Sequence, residues 1–325
     1  YHNCRPKSHY ALTFIMDHRM GAFHVTVSIL MMAISMIALV AQRRILANRR
    51  YASSLTNLPV AVKLSGWKNA AVHFFSHGIV FLAMLPSAVV VYTSFLKTKG
   101  PVFVGGFGLE SYDRIWRDAP DAIYNSFLFA IIAVTFITIT SGLISYVIVR
   151  RDTKAAAAID FLMMVPYLVP GVVMAIGFVT VFRNGMPNFF GPAFLLVMIY
   201  YIRRLPYGVR STTSSLRQIK PSLEEAAVNL GATPLGAFVK ITVPLIFPGI
   251  VVGALMGFIT AINELSSTLI LYDAGTITMP VKVYLAVLDG EFGLAAALST
   301  ILLLSTGACV YAVFRFAENR NSAFL

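Results

Sequence analysis

Charge is what this sequence has least of. Only 12% of its 325 residues are Asp, Glu, Lys or Arg, against about 25% in an ordinary soluble domain. Fifty-eight per cent are hydrophobic, and mean hydropathy is +0.76. That balance excludes a soluble enzyme. It also excludes a disordered chain, which would be poor in aromatics and rich in charge. Cysteine is nearly absent: Cys309 lies in an apolar run and Cys4 near the start. Two such residues build neither a disulfide framework nor a zinc-ligand spacing. What is left is an all-α, polytopic membrane protein. A span takes about 20 residues, so this length holds about seven with short loops.

Catalytic motifs are missing too. There is no G-x-x-x-x-G-K-[ST] to cradle nucleotide phosphates, no H-E-x-x-H and no G-x-S-x-G. If ATP drives this chain, another subunit binds it. No cofactor is expected, and no enzyme activity. No signal peptide precedes Tyr1, which fits a processed or truncated chain, or part of a longer one.

Seven apolar segments are present, at roughly 22–41, 71–96, 124–149, 160–182, 190–203, 246–271 and 293–314. The fifth is short. Pro166 and Pro170 sit in the fourth, where a kink or broken helix is tolerable if neighbours satisfy the freed carbonyls. The loops between segments alternate in charge. One alternate set carries 17 bases and the other 9, with 5 and 8 acids. The positive-inside rule counts bases and assigns the first set to the cytoplasm. The N-terminus is then outside and the C-terminus inside. A net charge of +12 therefore reads as a topology signal facing anionic membrane lipid, not as a nucleic-acid patch.

One acid is left over. Glu264 falls within the sixth segment beside Asn263, with Ser266, Ser267 and Thr268 following. An ionisable group in a span costs about 2.5–3.5 kcal/mol on insertion scales, so it faces the bundle interior or a wet cavity. Two roles stand side by side. These residues line or gate a solute path, with Glu264 meeting a cation, or they bond helices together. In the first case Glu264→Gln impairs transport without loss of assembly. His73 and His77 share a helical face but have no visible third ligand, so they read as interfacial residues, not a metal site. Gly171 and Gly177 read as close-packing positions. Tyr200 and Tyr201, beside arginines, read as an interfacial belt.

The longest cytoplasmic segment, 204–245, carries the most information. Pro221 and Ser222 open a helix, with Ser222 as N-cap and Glu225 at the capping-box spacing. Glu224 and Glu225 in the first turn suit the helix dipole. Ala226 and Ala227 leave a face that another surface can approach closely. Gly231 ends the helix and Pro234 starts the next. Ile241, Pro244 and Pro248 lead into the sixth span. A capped helix, a turn and a second helix form a shape suited to a groove on a partner.

Here the sequence resembles a known family. Glu225-Ala226-Ala227, Gly231, Ile241 and Pro244 match the motif E-A-A-x3-G-x9-I-x-L-P of binding-protein-dependent ABC importer permeases, with Val243 where leucine is usual. Arg203-Arg204-Leu205-Pro206-Tyr207, Arg210, Ala261 to Thr268 and Asp289 to Ala297 resemble the ferric-iron branch. Permeases for 2-aminoethylphosphonate, thiamine and polyamines look much alike.

The resemblance covers about residues 71–316 and implies a type I permease core of six helices there. It implies that Glu224, Glu225, Ala226, Ala227, Gly231, Ile241 and Pro244 contact ABC ATPase subunits. It implies a periplasmic solute-binding protein, and a second permease half or a homodimer. Residues 1–41 then resemble the last span of a first half, 42–70 a basic cytoplasmic linker and 317–325 a cytoplasmic tail. Rival readings are an ion-coupled secondary transporter, a membrane enzyme, or an inert remnant. An enzyme would need several reactive groups at one depth, and only Glu264 is deep.

Overall fold

The computed structural model describes residues 66–183 except 152, residues 191–322, and scattered positions between 26 and 44. The described positions of the first expected span are helical. The rest of that span, most of the basic linker and the turn after Arg183 lie outside the described residues.

The described chain is almost entirely helical. Helix α1 runs Trp67–Ser94, followed by a hairpin of β1 (Leu96–Lys99) and β2 (Val102–Phe107). The strands are antiparallel, with Leu96 opposite Phe107 and Lys99 opposite Val102. Then come α2 (Glu110–Asp118), α3 (Pro120–Arg150), α4 (Lys154–Leu162), α5 (Val165–Leu168) and α6 (Gly171–Phe178), which continues as a π-helical turn to Arg183. Next are α7 (Pro192–Arg217), α8 (Ser222–Asn229), α9 (Pro234–Ala237), a second π turn and α10 (Val243–Ile262). The chain ends with α11 (Thr268–Leu271), α12 (Met279–Leu288) and α13 (Phe292–Ser322).

By length and apolarity, four stretches can cross a membrane: Trp67–Ser94, Pro120–Arg150, Pro234–Ile262 and Phe292–Arg315. A fifth is the pair Lys154–Leu168 and Gly171–Phe182, bent by 99°. The expected count of seven is not reached among the described residues: most of the first segment lies outside them, and three other segments depart from single straight spans for physical reasons. The short fifth segment is the first half of the 26-residue α7, whose apolar run is interrupted by Arg203 and Arg204. The sixth is not one helix to residue 271: α10 stops at Ile262, and α11 begins at Thr268. The fourth breaks at Val169 and Pro170, where proline ends the geometry of the preceding turn. The extended backbone of both residues there marks the break.

The centre of the fold is a bundle of α3, α7 and α10. Without water between helices, van der Waals fit and hydrogen bonds drive such packing, and small residues let backbones approach. A Cβ at Gly253 would lie 2.8 Å from Cα of Gly208, and one at Gly249 would lie 2.7 Å from Cβ of Ser215. Hydroxyls stitch the same seam. Ser145 donates to the Val209 carbonyl at 3.0 Å, and Ser211 to the Gly249 carbonyl at 2.7 Å. Beside this seam, Phe129, Ala133, Leu196, Ile199, Leu294 and Leu298 form a dry core.

Loops gather at two opposite ends. At one, Asn125 near the start of α3 donates to the carbonyls of Gly275 and Ile277, both at 3.0 Å, and Arg114 pairs with Glu291 at 2.6 Å. At the other, Arg150 at the end of α3 meets the segment 219–224. By contrast, none of the apolar stretch of α1 is buried within the chain. An apolar helix face this exposed is suited to contact with lipid or another subunit.

Candidate functional site: a buried arginine–glutamate cluster and a pinned loop

Two sites emerge, one at mid-bundle and one at the end of α3. The first is built on α7. Tyr200, Arg203, Arg204 and Tyr207 fall at i, i+3, i+4 and i+7, so they share one helical face. That face meets the break between α10 and α11, where Glu264 is buried. Arg203 Nη1 lies 2.7 Å from Glu264 Oε1, and Arg204 Nη2 bonds to Oε2. Oε1 also accepts from Ser266 Oγ at 2.9 Å, Ser267 N at 3.2 Å and Ser267 Oγ at 3.1 Å. Tyr200 shares a 2.6 Å hydrogen bond with Thr268.

The bent helix pair closes the cluster. A Cβ on Gly171 would lie 2.6 Å from Arg203 Nη1, 2.7 Å from Ser267 Oγ and 2.8 Å from Ser266 Oγ. Gly171 is therefore a packing position, and glycine is required there. Gly177 has open space around it. The cluster thus joins the breaks in two helices to the unbroken α7. Its formal charge is one positive, two guanidinium groups against one carboxylate. Among the described residues, neither Nε of Arg203 nor that of Arg204 finds an acceptor. Buried donors left open cost about 1–3 kcal/mol each.

This geometry corrects two readings. Tyr200 is not an interfacial residue: it is 2% exposed and bonded inside the bundle. Tyr201 is partly buried and donates to Thr140 at 3.2 Å. Arg203 and Arg204 are not loop charges, because they stand within α7 and neutralise an intramembrane acid. Asn263 differs from Glu264. It is exposed, donates to the Ile259 carbonyl at 2.8 Å and to Thr306 Oγ1 at 3.0 Å. It lines a mostly apolar cavity of about 380 Å³, in which Ser87, Ser299 and Thr306 stand among Pro86, Val90 and Leu302.

The second site is the loop. Helix α8 ends in a Schellman turn: Gly231 N–H bonds to Val228 O at 3.0 Å and Ala232 N–H to Ala227 O at 3.0 Å. Gly231 has φ +96°, which suits glycine alone. Thr233 then caps α9, accepting from Gly236 N at 3.0 Å. The expected capping box does not form. Pro221 occupies the cap position, Ser222 is the first helical residue, and no side chain caps this end.

Glu224 instead reaches out of the helix. Arg150 Nε and Nη2 donate to its Oε1 at 3.0 and 2.7 Å, and Tyr146 donates to its Oε2 at 3.0 Å. Glu225 and Ala226 are exposed, and Ala227 is partly so. Leu223, Val228, Leu230, Leu235 and Val239 project as exposed apolar residues around them. Ile241 lies in the second π turn, and Pro244 is the second residue of α10.

A family model described as "Binding-protein-dependent transport system inner membrane component" matches residues 139–322, which hold both sites. The chain belongs to this family. It is an ABC importer permease, a multi-pass inner-membrane protein. Its relatives include a ferric transport system permease protein of Actinobacillus pleuropneumoniae, 26% identical over 265 residues. That match covers 79% of this chain and 37% of the relative. The putrescine transport system permease of Escherichia coli K12 is 27% identical over 260 residues, 78% of this chain and 90% of the relative. A putative 2-aminoethylphosphonate permease of Salmonella paratyphi A is 22% identical over 241 residues, 74% of this chain and 91% of the relative.

The permease spans little more than a third of the first ferric relative, and 28% of a second, from Haemophilus influenzae. A crystal structure of a bacterial alginate ABC importer superimposes with a TM-score of 0.59 at 14% identity, covering 79% of this chain and 98% of that one. At that identity the likeness shows the fold.

His73 and His77, the other candidate pair, lie on α1. His77 Nδ1 is 2.7 Å from the His73 carbonyl. Among the described residues, no three His, Cys, Asp or Glu converge as metal ligands.

Proposed function

We propose that this permease supplies the membrane path of an ATP-driven, binding-protein-dependent importer, and that its cargo is ferric iron. On this reading a periplasmic protein delivers solute to the outer face of two permease halves, either this chain twice or this chain and a partner half. ABC ATPase subunits close on ATP at the cytoplasmic face and move α8, and the spans change from one packing to another. The ATPase provides the energy, and the permease provides two arrangements of the same helices. The N-terminus is then periplasmic and the C-terminus cytoplasmic.

The observation that carries this reading is α8. It is a helix fixed at one end by a Schellman turn and on one side by Arg150, presenting Glu225, Ala226 and a rim of apolar side chains outward. Such a surface is built to be gripped. Iron is favoured by the ferric relatives. The putrescine relative, matched over 90% of its length, supports a polyamine as the second cargo.

For the path, Asn263 is the side chain we assign to solute contact, because it is exposed and places its amide, with Ser87, Ser299 and Thr306, in the wall of an otherwise apolar cavity. Ser266 is exposed at the same break, whereas Ser267 and Thr268 face inward. Glu264 has both oxygens filled by protein donors, so in this arrangement it holds the helices and does not meet a cation.

Two experiments test the proposal. The permease purified from cells expressing its neighbouring ABC ATPase should retain that ATPase, and Gly231→Trp should abolish retention. An ATPase that stays bound to Gly231→Trp removes α8 from the contact. Uptake of ferric iron, putrescine and 2-aminoethylphosphonate, compared with and without the permease, then identifies the cargo. Loss of putrescine uptake alone would keep the importer and discard iron.

A further inference from the structure

Arg150 belongs to the base-rich set of loop residues that the positive-inside rule assigns to the cytoplasm. Its position gives it a second job. It is the last residue of α3, a 31-residue helix that crosses the bundle. A guanidinium is favoured there by the negative end of the helix dipole. Arg150 uses its donors on two neighbouring points of the loop. Nη1 and Nη2 donate to the Ile219 carbonyl at 3.2 and 3.3 Å, just before α8. Nε and Nη2 donate to Glu224 inside α8.

The pair is sheltered. The side chains of Arg150 and Glu224 are 11% and 13% exposed, so water screens them little. Tyr146, one turn earlier on α3, adds a third bond and stacks edge-on against Phe238 with ring centroids 4.8 Å apart. Leu216, Ile246 and Ile250 pack beneath, with Ile219 and Val149 against them. The loop is thus fixed to α3 at residues 219, 224 and 238, while Glu225 one position on stays exposed.

We propose that Arg150 is a positioning residue that, through Glu224, fastens α8 rigidly to α3, so that a displacement of α8 reaches the membrane bundle as movement of α3. The adjacent carboxylates then divide the work: Glu225 faces the partner and Glu224 faces inward to the span. This rests on the reading of α8 as the ATPase contact. It adds the route by which the contact reaches the spans.

The test uses the full permease in lipid nanodiscs with its co-purified ATPase, as wild type, Arg150→Glu, Glu224→Arg and the double exchange. Amide hydrogen exchange is read without nucleotide and after trapping with ATP and vanadate. Without nucleotide, α8 amides in either single variant should exchange roughly tenfold faster than in wild type, the scale of losing charged hydrogen bonds. On trapping, wild type should change protection in both α8 and Tyr146–Arg150, whereas the single variants should change in α8 alone. The double exchange should restore both responses. The melting midpoint of the bundle, which a general loss of fold would lower, should stay at the wild-type value in all four.

A response in α3 that survives the single changes, or one that the double exchange fails to restore, overturns the proposal. A wild-type complex that holds no ATPase overturns it by a different route, removing the coupling reading itself. The nucleotide-free exchange rates of α8 tell the two failures apart.

Discussion

Glu224 and Glu264 are both held by arginines, yet they stand in different surroundings. Glu264 is 4% exposed, between two guanidinium groups, and three serine donors fill its remaining capacity. Glu224 has one arginine and one tyrosine and sits on an eight-residue helix at the edge of the bundle. The first carboxylate joins elements that are already deep in the protein. The second joins a surface helix to a deep one. Similar chemistry therefore serves different ends: removing the first threatens the fold, and removing the second disconnects a part from a fold that stands.

The sharpest way to break this contrast is Glu264→Ala. It strands two buried guanidinium groups, and breaking a buried pair in this way costs about 3–5 kcal/mol. The expected outcome is little folded permease in detergent extracts, measured by monodisperse yield. Glu224→Ala should extract normally. Equal yields would dissolve the distinction.

Gly171→Ala comes next. Its new methyl must displace Arg203, Ser266 or Ser267, and overpacking of this kind costs about 1–3 kcal/mol. A lowered melting midpoint with Glu264 intact would confirm that the bent pair and the acid form one unit.

Gly231→Val acts only on the loop. A branched side chain at φ +96° costs roughly 1–2 kcal/mol in backbone strain. It should fray the end of α8, seen as faster exchange at Ala232, and leave the melting midpoint of the bundle unchanged. Tyr146→Phe should be the mildest. It removes one bond to Glu224, worth about 0.5–1.5 kcal/mol, and should raise α8 exchange less than Arg150→Glu does.

Much of the fold could be read from the sequence because lipid imposes one rule on every span: apolar and helical. The loop was legible for a different reason. Gly231 and Pro234 are local signals, and each ends or begins a helix where it was expected to. The misreading of α7 has one cause. Hydropathy treats any charge as the end of a span, so the pattern ends the fifth segment at Arg203 and starts the loop at Arg204, although both stand mid-helix in α7.

A signal was nonetheless present. A solitary intramembrane acid needs a partner, and Tyr200, Arg203 and Arg204 share a helical face at the right spacing. Nothing local connects Arg150 with Glu224, 74 positions apart. Sequence alone makes Glu224 a first-turn charge, and the cap bond expected of Ser222 is missing because Pro221 takes that place. Neither pairing follows from local propensity, since both depend on which helices become neighbours.

The 99° bend between Lys154–Leu168 and Gly171–Phe182 has a consequence for how the protein is made. A helix rises about 1.5 Å per residue, and the hydrocarbon core is about 30 Å thick. Neither arm is long enough to cross alone, so the insertion machinery must accept the pair as one hydrophobic unit. The groups packed against Gly171 at the bend, Arg203 and Ser267, lie further along the chain and emerge from the ribosome later. The break at Pro170 is thus made with the segment but seated only after synthesis has moved on, and a nascent chain halted before α11 would carry it into the bilayer without the cluster that packs against Gly171.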